Sequence, residues 1–282
     1  MRAPWAVTLL ILAWAGAVAA EDERTLDEIC GQTLTANTVV RVQGGSMSFG
    51  DCALVLDNAR LRILEANLAG GSLSVAGIGA ARLLIVGTRL RADLAVTGDY
   101  LRVVLSNSLF FARNALVDLG AGEVRIRFST FHPGEVEVST DAGAIRVQST
   151  KFRRLATLLT RSGSADIRLS DFLRGIGVIT EGPGDLAFLS NVTQGQAEFR
   201  GDGRVAVAAN TFELAPGSGL GDVLAVGSEL AFLNNLAQGE VTLQSDLGLM
   251  VVGNTFESGR ASIDGNPLSC IIINNEPPVR CP

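Results

Sequence analysis

The chain has 282 residues, of which 47% are hydrophobic, 18% charged and 5% aromatic, and its formal net charge is -6. That length and apolar content suffice for a large core in one or two domains, and the acidic balance argues against a dedicated nucleic-acid binder. With 32 glycines and an apolar fraction dominated by Val, Ile, Leu and Ala, the composition suits strands packed on both faces better than helices.

Arg2 precedes the apolar run Ala6–Ala15, which ends in the small residues Ala17-Val-Ala-Ala20 before the charged Glu21-Asp-Glu-Arg24. A basic start, a short apolar core and an A-x-A-like site make residues 1–20 an export signal, so the mature chain is expected to begin near Ala20 or Glu21 and to reside in the periplasm or outside the cell. The run is shorter than the ~20 apolar residues of a membrane span. No membrane span is expected after cleavage, and no Cys follows the site to carry a lipid.

Residues 21–55 read as an N-terminal cap. Thr25-Leu-Asp-Glu28 is a capping-box pattern ahead of Ile29 and predicts a short helix over the first coil. Four cysteines, Cys30, Cys52, Cys270 and Cys281, allow three pairings in an oxidising compartment. The favoured pairing is Cys30–Cys52 and Cys270–Cys281, each stapling one end of the chain. Neither pair has the C-x-x-C spacing of a zinc or redox centre.

Residues 56–275 carry a repeat. A three-residue motif recurs as Thr88-Arg-Leu90, Asn107-Ser-Leu109, Ser129-Thr-Phe131, Thr150-Lys-Phe152, Ser170-Asp-Phe172, Ser190-Asn-Val192, Asn210-Thr-Phe212, Asn234-Asn-Leu236 and Asn254-Thr-Phe256. Its first positions fall 19, 22, 21, 20, 20, 20, 24 and 20 residues apart, with Asn274 a further 20 on, and the single 24 contains the loop-like Ala215-Pro-Gly-Ser-Gly-Leu-Gly221. Between motifs, runs such as Ile145-Arg-Val147, Val205-Ala-Val207 and Val241-Thr-Leu243 alternate with period two and are bounded by Gly- and Asp-containing turns. Nothing sustains the i, i+3, i+4 pattern of an amphipathic helix, which disfavours leucine-rich repeats. Two or three short strands per ~20 residues predict an all-β, single-stranded parallel β-helix of about ten coils. The polar first position would turn a corner and the apolar third would fill the interior. Pro277-Pro278 and the small Cys270–Cys281 loop would then close the far end as a cap over residues 276–282.

The Asn-x-Phe/Leu corner, preceded by an apolar strand and followed by Gly134, Gly175, Gly195, Gly239 or Gly259, resembles the single-stranded right-handed parallel β-helix proteins. That class includes pectate lyases, other carbohydrate-active proteins and the periplasmic NosD-like proteins. The resemblance covers roughly residues 60 to 275 and implies a right-handed solenoid associated with carbohydrate. A pentapeptide repeat is matched once, at Ala66-Asn-Leu-Ala-Gly70, and is not sustained. An outer-membrane barrel would show aromatic girdles, whereas the chain has a single Tyr.

Chemistry-bearing residues then fall into columns. Arg91, His132, Arg153, Arg154 and Arg174 follow the corners, with Lys151 beside them, and form a basic ridge suited to an anionic chain such as a uronate polysaccharide. The plainer reading is a solvated corner. His132 is the sole His, in Phe131-His-Pro-Gly134, which weakens a catalytic triad or multi-His metal site. Asp141, Asp202, Asp222 and Asp246 recur twelve residues after corners. Asp202, Asp222 and Asp246 would stack as a carboxylate column able to hold Ca²⁺, although Asp beside Gly is ordinary turn chemistry. A pectate-type lyase needs its cation and Arg base together, and here the two columns belong to different corners. Neither the Asp pairs and Gly-His-Gly of polygalacturonases nor the Asp-Pro-His-Glu of alginate-modifying β-helices is present. The sequon Asn191-Val-Thr193 overlaps a corner, and the outward column Thr130, Thr211 and Thr255 is too interrupted by Lys151, Asp171 and Asn191 for ice binding. The expectation is an exported non-catalytic β-helix, needing no cofactor, that binds a glycan or an extracytoplasmic protein through its flat faces. The alternative is a carbohydrate-active enzyme, of polysaccharide lyase or hydrolase type, with a divergent site.

Overall fold

Alternation is visible strand by strand. In Glu123–Arg127, Val124 and Ile126 are fully buried while Glu123, Arg125 and Arg127 face outward. The computed structural model describes residues 22–41, 46–132, 134–217, 219 and 221–282, so the expected signal, residues 1–20, lies outside the described residues. Each strand pairs in parallel with its counterpart one coil before and one coil after: Val124 aligns with Val103 on one side and with Ile145 on the other. The product is an all-β parallel solenoid of about 11 turns at ~21 residues per turn, one turn more than the sequence period suggests. Stacked parallel strands about 4.8 Å apart satisfy their backbone groups between coils, which is how a chain with almost no helix holds together.

Each coil has three faces. Face A is formed by strands such as Arg102–Ser106, Glu123–Arg127 and Ile145–Gln148. A tight corner leads to the two-residue strands of face B, among them Leu109–Phe110, Thr130–Phe131 and Lys151–Phe152. After a short loop come the strands of face C, such as Asn114–Leu119, Glu135–Thr140 and Ala156–Thr160. In later coils faces C and A merge into single bent strands, Ala197–Ala208 and Val223–Leu233, with register shifts at the bends. The long coil carries its extra residues between faces B and C, where the sequence places Ala215–Gly221.

The A-to-B corner corrects the motif register. A residue in the left-handed region turns the chain, and the next residue enters the interior. Asn107, Ser190, Asn234 and Asn274, aligned above as first motif positions, are these left-handed residues, with φ of 50°, 57°, 52° and 53°. The stacked column is Thr88, Ser108, Ser129, Thr150, Ser170, Asn191, Asn210, Asn235 and Asn254, all at most 2% exposed, ending at Asn275. The inward residues two positions later are accordingly Phe110, Thr193 and Ala237, not Leu109, Val192 and Leu236.

This column is a hydrogen-bond ladder. The backbone N–H of every corner residue from Thr150 to Asn254 donates to the side chain of the next coil, as Ser170 does to Asn191 Oδ1 at 2.9 Å, Asn191 to Asn210 Oδ1 at 2.8 Å and Asn210 to Asn235 Oδ1 at 3.0 Å. Each Asn Nδ2 also donates twice, as Asn235 does to Asn254 Oδ1 at 3.1 Å and to the Val207 carbonyl at 2.8 Å. Buried amides are thereby fully satisfied.

Inside the ladder runs a phenylalanine stack. Phe110, Phe131, Phe152 and Phe172 stack nearly parallel on successive coils, with ring centroids 4.6, 5.1 and 4.9 Å apart. Thr193 and Ala237 interrupt the column, and on those coils the volume returns from the other faces: Phe188 and Phe199 beside Thr193, and Phe232 beside Ala237. Close packing demands that exchange. Thr193 Oγ1 is buried without a hydrogen-bond partner.

A second column sits at the turn from face C to face A. Gly122, Gly143, Gly163 and Gly184 stack so closely that a Cβ on Gly143, Gly163 or Gly184 would overlap the carbonyl oxygen of the glycine one coil earlier. Thr140 and Thr160, both buried, donate to the Gly143 carbonyl at 3.0 and 3.2 Å.

Both ends are closed. The one-turn helix Leu26–Ile29 buries Leu26 and Ile29 completely, and Glu28 accepts the Thr25 N–H at 2.7 Å, which lowers the Glu28 pKa. Cys30–Cys52 and Cys270–Cys281 are disulfides with Cα separations of 5.0 and 6.2 Å. Val279 of the C-terminal tail packs against the core.

Two outcomes follow for chemical denaturation. Asn235→Ala, which strips a buried amide of four bonds, is expected to destabilise by about 2–4 kcal/mol, while Asn234→Ala, at the exposed left-handed position, costs about 1 kcal/mol; equal losses would contradict the register. Thr193→Val removes an unpaired buried hydroxyl and is expected to raise stability by about 1 kcal/mol, and a loss of stability would show that the hydroxyl has a partner.

Candidate functional site: a cationic edge

The backbone ladder of face B continues one residue beyond its strands. Phe111, His132, Arg153 and Leu173 each donate their N–H to the carbonyl of the inward residue one coil earlier, namely Leu90, Phe110, Phe131 and Phe152, at 2.7 to 3.1 Å. These bonds hold Arg91, Phe111, His132 and Arg153 in one outward column on successive coils. Sequence spacing therefore becomes direct side-chain stacking.

Phe111 and His132 are parallel, with ring centroids 4.4 Å apart and planes within 9°. The guanidinium carbons of Arg89 and Arg91 lie 5.9 and 5.7 Å from the Phe111 centroid, within cation–π range. Partial burial pushes the His132 imidazole below its ordinary pKa, and the charge of Arg153 pushes it the same way. Arg154 and Arg174 occupy equivalent loop positions on the next two coils, and both are exposed, as is Arg153. Lys151 is one column over on face B, with Nζ 4.0 Å from Asp171.

Ion pairing is uneven over the surface, and among the described residues Arg60, Arg82, Arg127 and Arg260, on other faces, also make none. Arg102, Arg125, Arg146, Arg161, Arg168, Arg200 and Arg204 all make ion pairs. Among the described residues, Arg89, Arg91, Arg113, Arg153, Arg154 and Arg174 make none. Asp93, the nearest acid in sequence to this group, has a carboxylate oxygen that accepts the backbone N–H groups of Arg113 and Asn114 at 2.8 and 3.1 Å. Unpaired cations concentrated on one edge of an acidic chain make a local positive potential.

The structure brings His132 and Arg153 into one column, flanks them with Arg154 and Arg174, and sets Lys151 beside an acid. Sequence reading missed Arg89, Phe111 and Arg113 as part of the edge. Phe111 was recoverable, since it stands at the same offset from Phe110 as His132 from Phe131.

The acidic column is not assembled. Asp202 and Asp246 share the C-to-A bend but lie two coils apart with Ser228 between them, whereas Asp222 sits ahead of face C at the other corner. Asp202 accepts the Gly182 N–H at 2.8 Å and Asp222 accepts the Glu240 N–H at 3.2 Å, both turn duties. Among the described residues, no group of three or more His, Cys, Asp or Glu side chains is placed to hold a metal ion. Asn191 of the sequon is 2% exposed and committed to the ladder, so the folded chain does not present it for glycosylation.

No protein-family model, curated protein or solved structure matches the chain. The two disulfides, and the lack of any helix among the described residues long and apolar enough to cross a membrane, are compatible with a periplasmic or extracellular location.

His132, as the single imidazole, reports on the edge without interference. Its NMR titration midpoint is expected below the ordinary imidazole value and to move upward in Arg153→Ala; an unmoved midpoint would show that the two side chains are not neighbours. Because the folded-state pKa is lowered, the unfolded chain binds the proton more readily. His132 thus favours the folded state above its unfolded pKa, and that contribution is lost as pH falls through the folded value.

Proposed function

We propose that the chain is an exported, non-catalytic solenoid that binds a linear carboxylated polysaccharide, a polyuronate in class, lengthwise along the edge from Arg89 and Arg91 to Arg174. The observation that carries this reading is the set of unpaired arginines at coil spacing. Successive coils rise about 4.8 Å, so five coils present a straight row of donors about 20 Å long. A guanidinium offers paired N–H donors to a carboxylate, and a polymer with one acid per sugar supplies carboxylates in a comparable linear series. Phe111 has His132 stacked on one side and Arg89 and Arg91 on the other, so it stiffens the row rather than offering a free face to a sugar.

Binding without cleavage follows from what surrounds the row. A lyase or hydrolase of this kind needs carboxylates beside its base, to hold a cation or to move protons. The Asp202 and Asp246 bend is on another edge of the coil, Asp171 is engaged by Lys151, and Asp93, the acid within the row, accepts the backbone N–H groups of Arg113 and Asn114.

Polygalacturonate oligomers are the probe, titrated calorimetrically with and without Ca²⁺. Arg153→Ala/Arg154→Ala is expected to weaken binding about tenfold or more, and added salt to weaken it in both proteins. Affinity should rise as pH falls through the His132 titration, and His132→Gln should flatten that dependence. Absence of binding at low salt overturns the proposal, and release of shortened oligomers would install the enzyme reading in its place.

A further inference from the structure

Face A changes character along the solenoid. On the six coils from Arg60–Leu64 to Ala165–Arg168 its outward positions form three rows. One stacks Arg60, Arg82 and Arg102 against Glu123, and the next runs Arg62, Leu84, Val104, Arg125, Arg146 and Asp166. The third carries Arg127 and Arg168 beyond Leu64 and Val86. Eight arginines therefore stand with two acids, and both acids are engaged: Glu123 meets Arg102, Arg125 and Arg146 at 2.6 to 3.2 Å, and Asp166 meets Arg168 at 2.6 Å. Burial, the largest single influence, raises the Glu123 pKa, but the Arg125 hydrogen bond and the three arginine charges together hold it below the ordinary value. The bounding corners of these coils add Asp57, Glu65, Asp99 and the Asp141–Arg161 pair, so this side of an acidic chain keeps a surplus of three positive charges. Beyond it the middle row turns apolar, through Ala187, Ala206, Ala231, Met250 and Ile271.

Bulky apolar side chains flank this cationic stretch on both sides. Among the described residues five large apolar side chains are more than 55% exposed, and four of them lie on its bounding corners. Ile78 and Tyr100, 56% and 65% exposed, precede Arg82 and Arg102 at the C-to-A bend, and Phe128 and Leu169, 57% and 59% exposed, directly follow Arg127 and Arg168 at the A-to-B corner. Packing does not account for the second pair. Phe128 and Leu169 hold the left-handed corner position, with φ of 48° and 53°, which strains a bulky residue and which other coils fill with Gly, Asn, Ser, Glu or Ala. They stand two coils apart across Ser149, so neither covers the other, and an open notch of about 340 Å³ lies between them. Strain held without a return in packing marks a position shaped by function.

We propose that this side of the solenoid docks on an anionic lipid bilayer, with the face A arginines among the phosphates and Ile78, Tyr100, Phe128 and Leu169 set into the interface. Six coils of five-residue strand make a flat patch of about 24 by 16 Å, bounded on both long sides by the corners that carry these side chains. Anionic headgroups attract clustered arginines, and Phe and Leu beside cations are the residues that enter the boundary between headgroups and acyl chains. A soluble polyanion would satisfy the arginines and leave the four corner side chains in water, whereas a bilayer receives both. The patch shares no residue with the cationic edge, so the inference does not depend on the polysaccharide reading.

The test is flotation of the purified protein, begun at Glu21 so that the apolar run Ala6–Ala15 plays no part, with phosphatidylcholine vesicles containing about 30% phosphatidylglycerol. Binding is expected at low salt, about tenfold or more weaker on phosphatidylcholine alone, and is expected to fall as salt rises to about 0.5 M. Arg82→Ala/Arg146→Ala should weaken it about tenfold. Phe128→Asn/Leu169→Asn, which gives both corners a residue used on other coils, should weaken binding severalfold while the melting temperature stays level or rises by a few degrees. Arg153→Ala/Arg154→Ala, on the cationic edge, should leave vesicle binding within about twofold. Absence of binding at low salt, or equal binding with and without phosphatidylglycerol, overturns the proposal. Arginine-dependent binding that Phe128→Asn/Leu169→Asn leaves at the wild-type level also overturns it, and makes a soluble polyanion or an acidic protein what the patch meets. A lowered melting temperature in that variant would overturn it as well, by giving the two corner side chains a packing role.

Discussion

At every A-to-B corner the chain turns through a left-handed residue, and the backbone N–H that follows is buried without a strand partner. That orphan donor is the constraint on which the fold depends, because a buried N–H left unpaired in each coil would add up to more than the net stability of a domain. At Thr88, at Ser108 and from Thr150 to Asn254 the chain answers with a side-chain oxygen from the next coil. In earlier coils it is a Ser hydroxyl, as when Thr150 N–H donates to Ser170 Oγ at 3.2 Å. From Asn191 onward it is an amide, which accepts that N–H and also ties two coils together through Nδ2. Register is fixed by chemistry at the corner, and the strands on the three faces inherit it.

With register fixed, each coil has only to fill its cross-section. The phenylalanine stack does so from face B, and where Thr193 or Ala237 stands in that column the missing volume comes from Phe188, Phe199 or Phe232 on another face. The glycine column works in the opposite sense, admitting no side chain where carbonyls of successive coils pass close together. Corners and interior thus absorb the folding constraints, and outward positions are left free to vary. The same solenoid can therefore present a row of unpaired cations on one edge, an ion-pair belt of net positive charge on the middle of face A and an apolar strip at its far end.

The period, the parallel stacking and the polar corner were legible because they repeat. Corner register was not legible everywhere. At Asn107-Ser108, Ser190-Asn191, Asn234-Asn235 and Asn274-Asn275 two adjacent residues are both short and polar, so either one fits a corner, and only the parity of the inward column separates them. Phe110 would have betrayed the slip, but Thr193 and Ala237 hide it because their coils are filled from elsewhere. The glycine column was read as ordinary turns, since local sequence does not reveal a carbonyl one coil away. Ridge residues His132, Arg153, Arg154 and Arg174 were found by their offset from the corner; Arg89 and Arg113 were not, because they reach the same edge from other offsets. The clustering of these cations on one edge without an acid paired to them depends on where every acid lies in space.

The most direct test of stacked corners is a double-mutant cycle between Asn210 and Asn235, which are 25 residues apart in sequence and joined through the Asn210 N–H and Nδ2 donating to Asn235 Oδ1 at 3.0 and 2.9 Å. Measured by urea denaturation of Asn210→Ala, Asn235→Ala and the double variant, the coupling should be about 1–3 kcal/mol. A coupling indistinguishable from zero, with both single variants folded and destabilised, would contradict the ladder and the register of the solenoid with it.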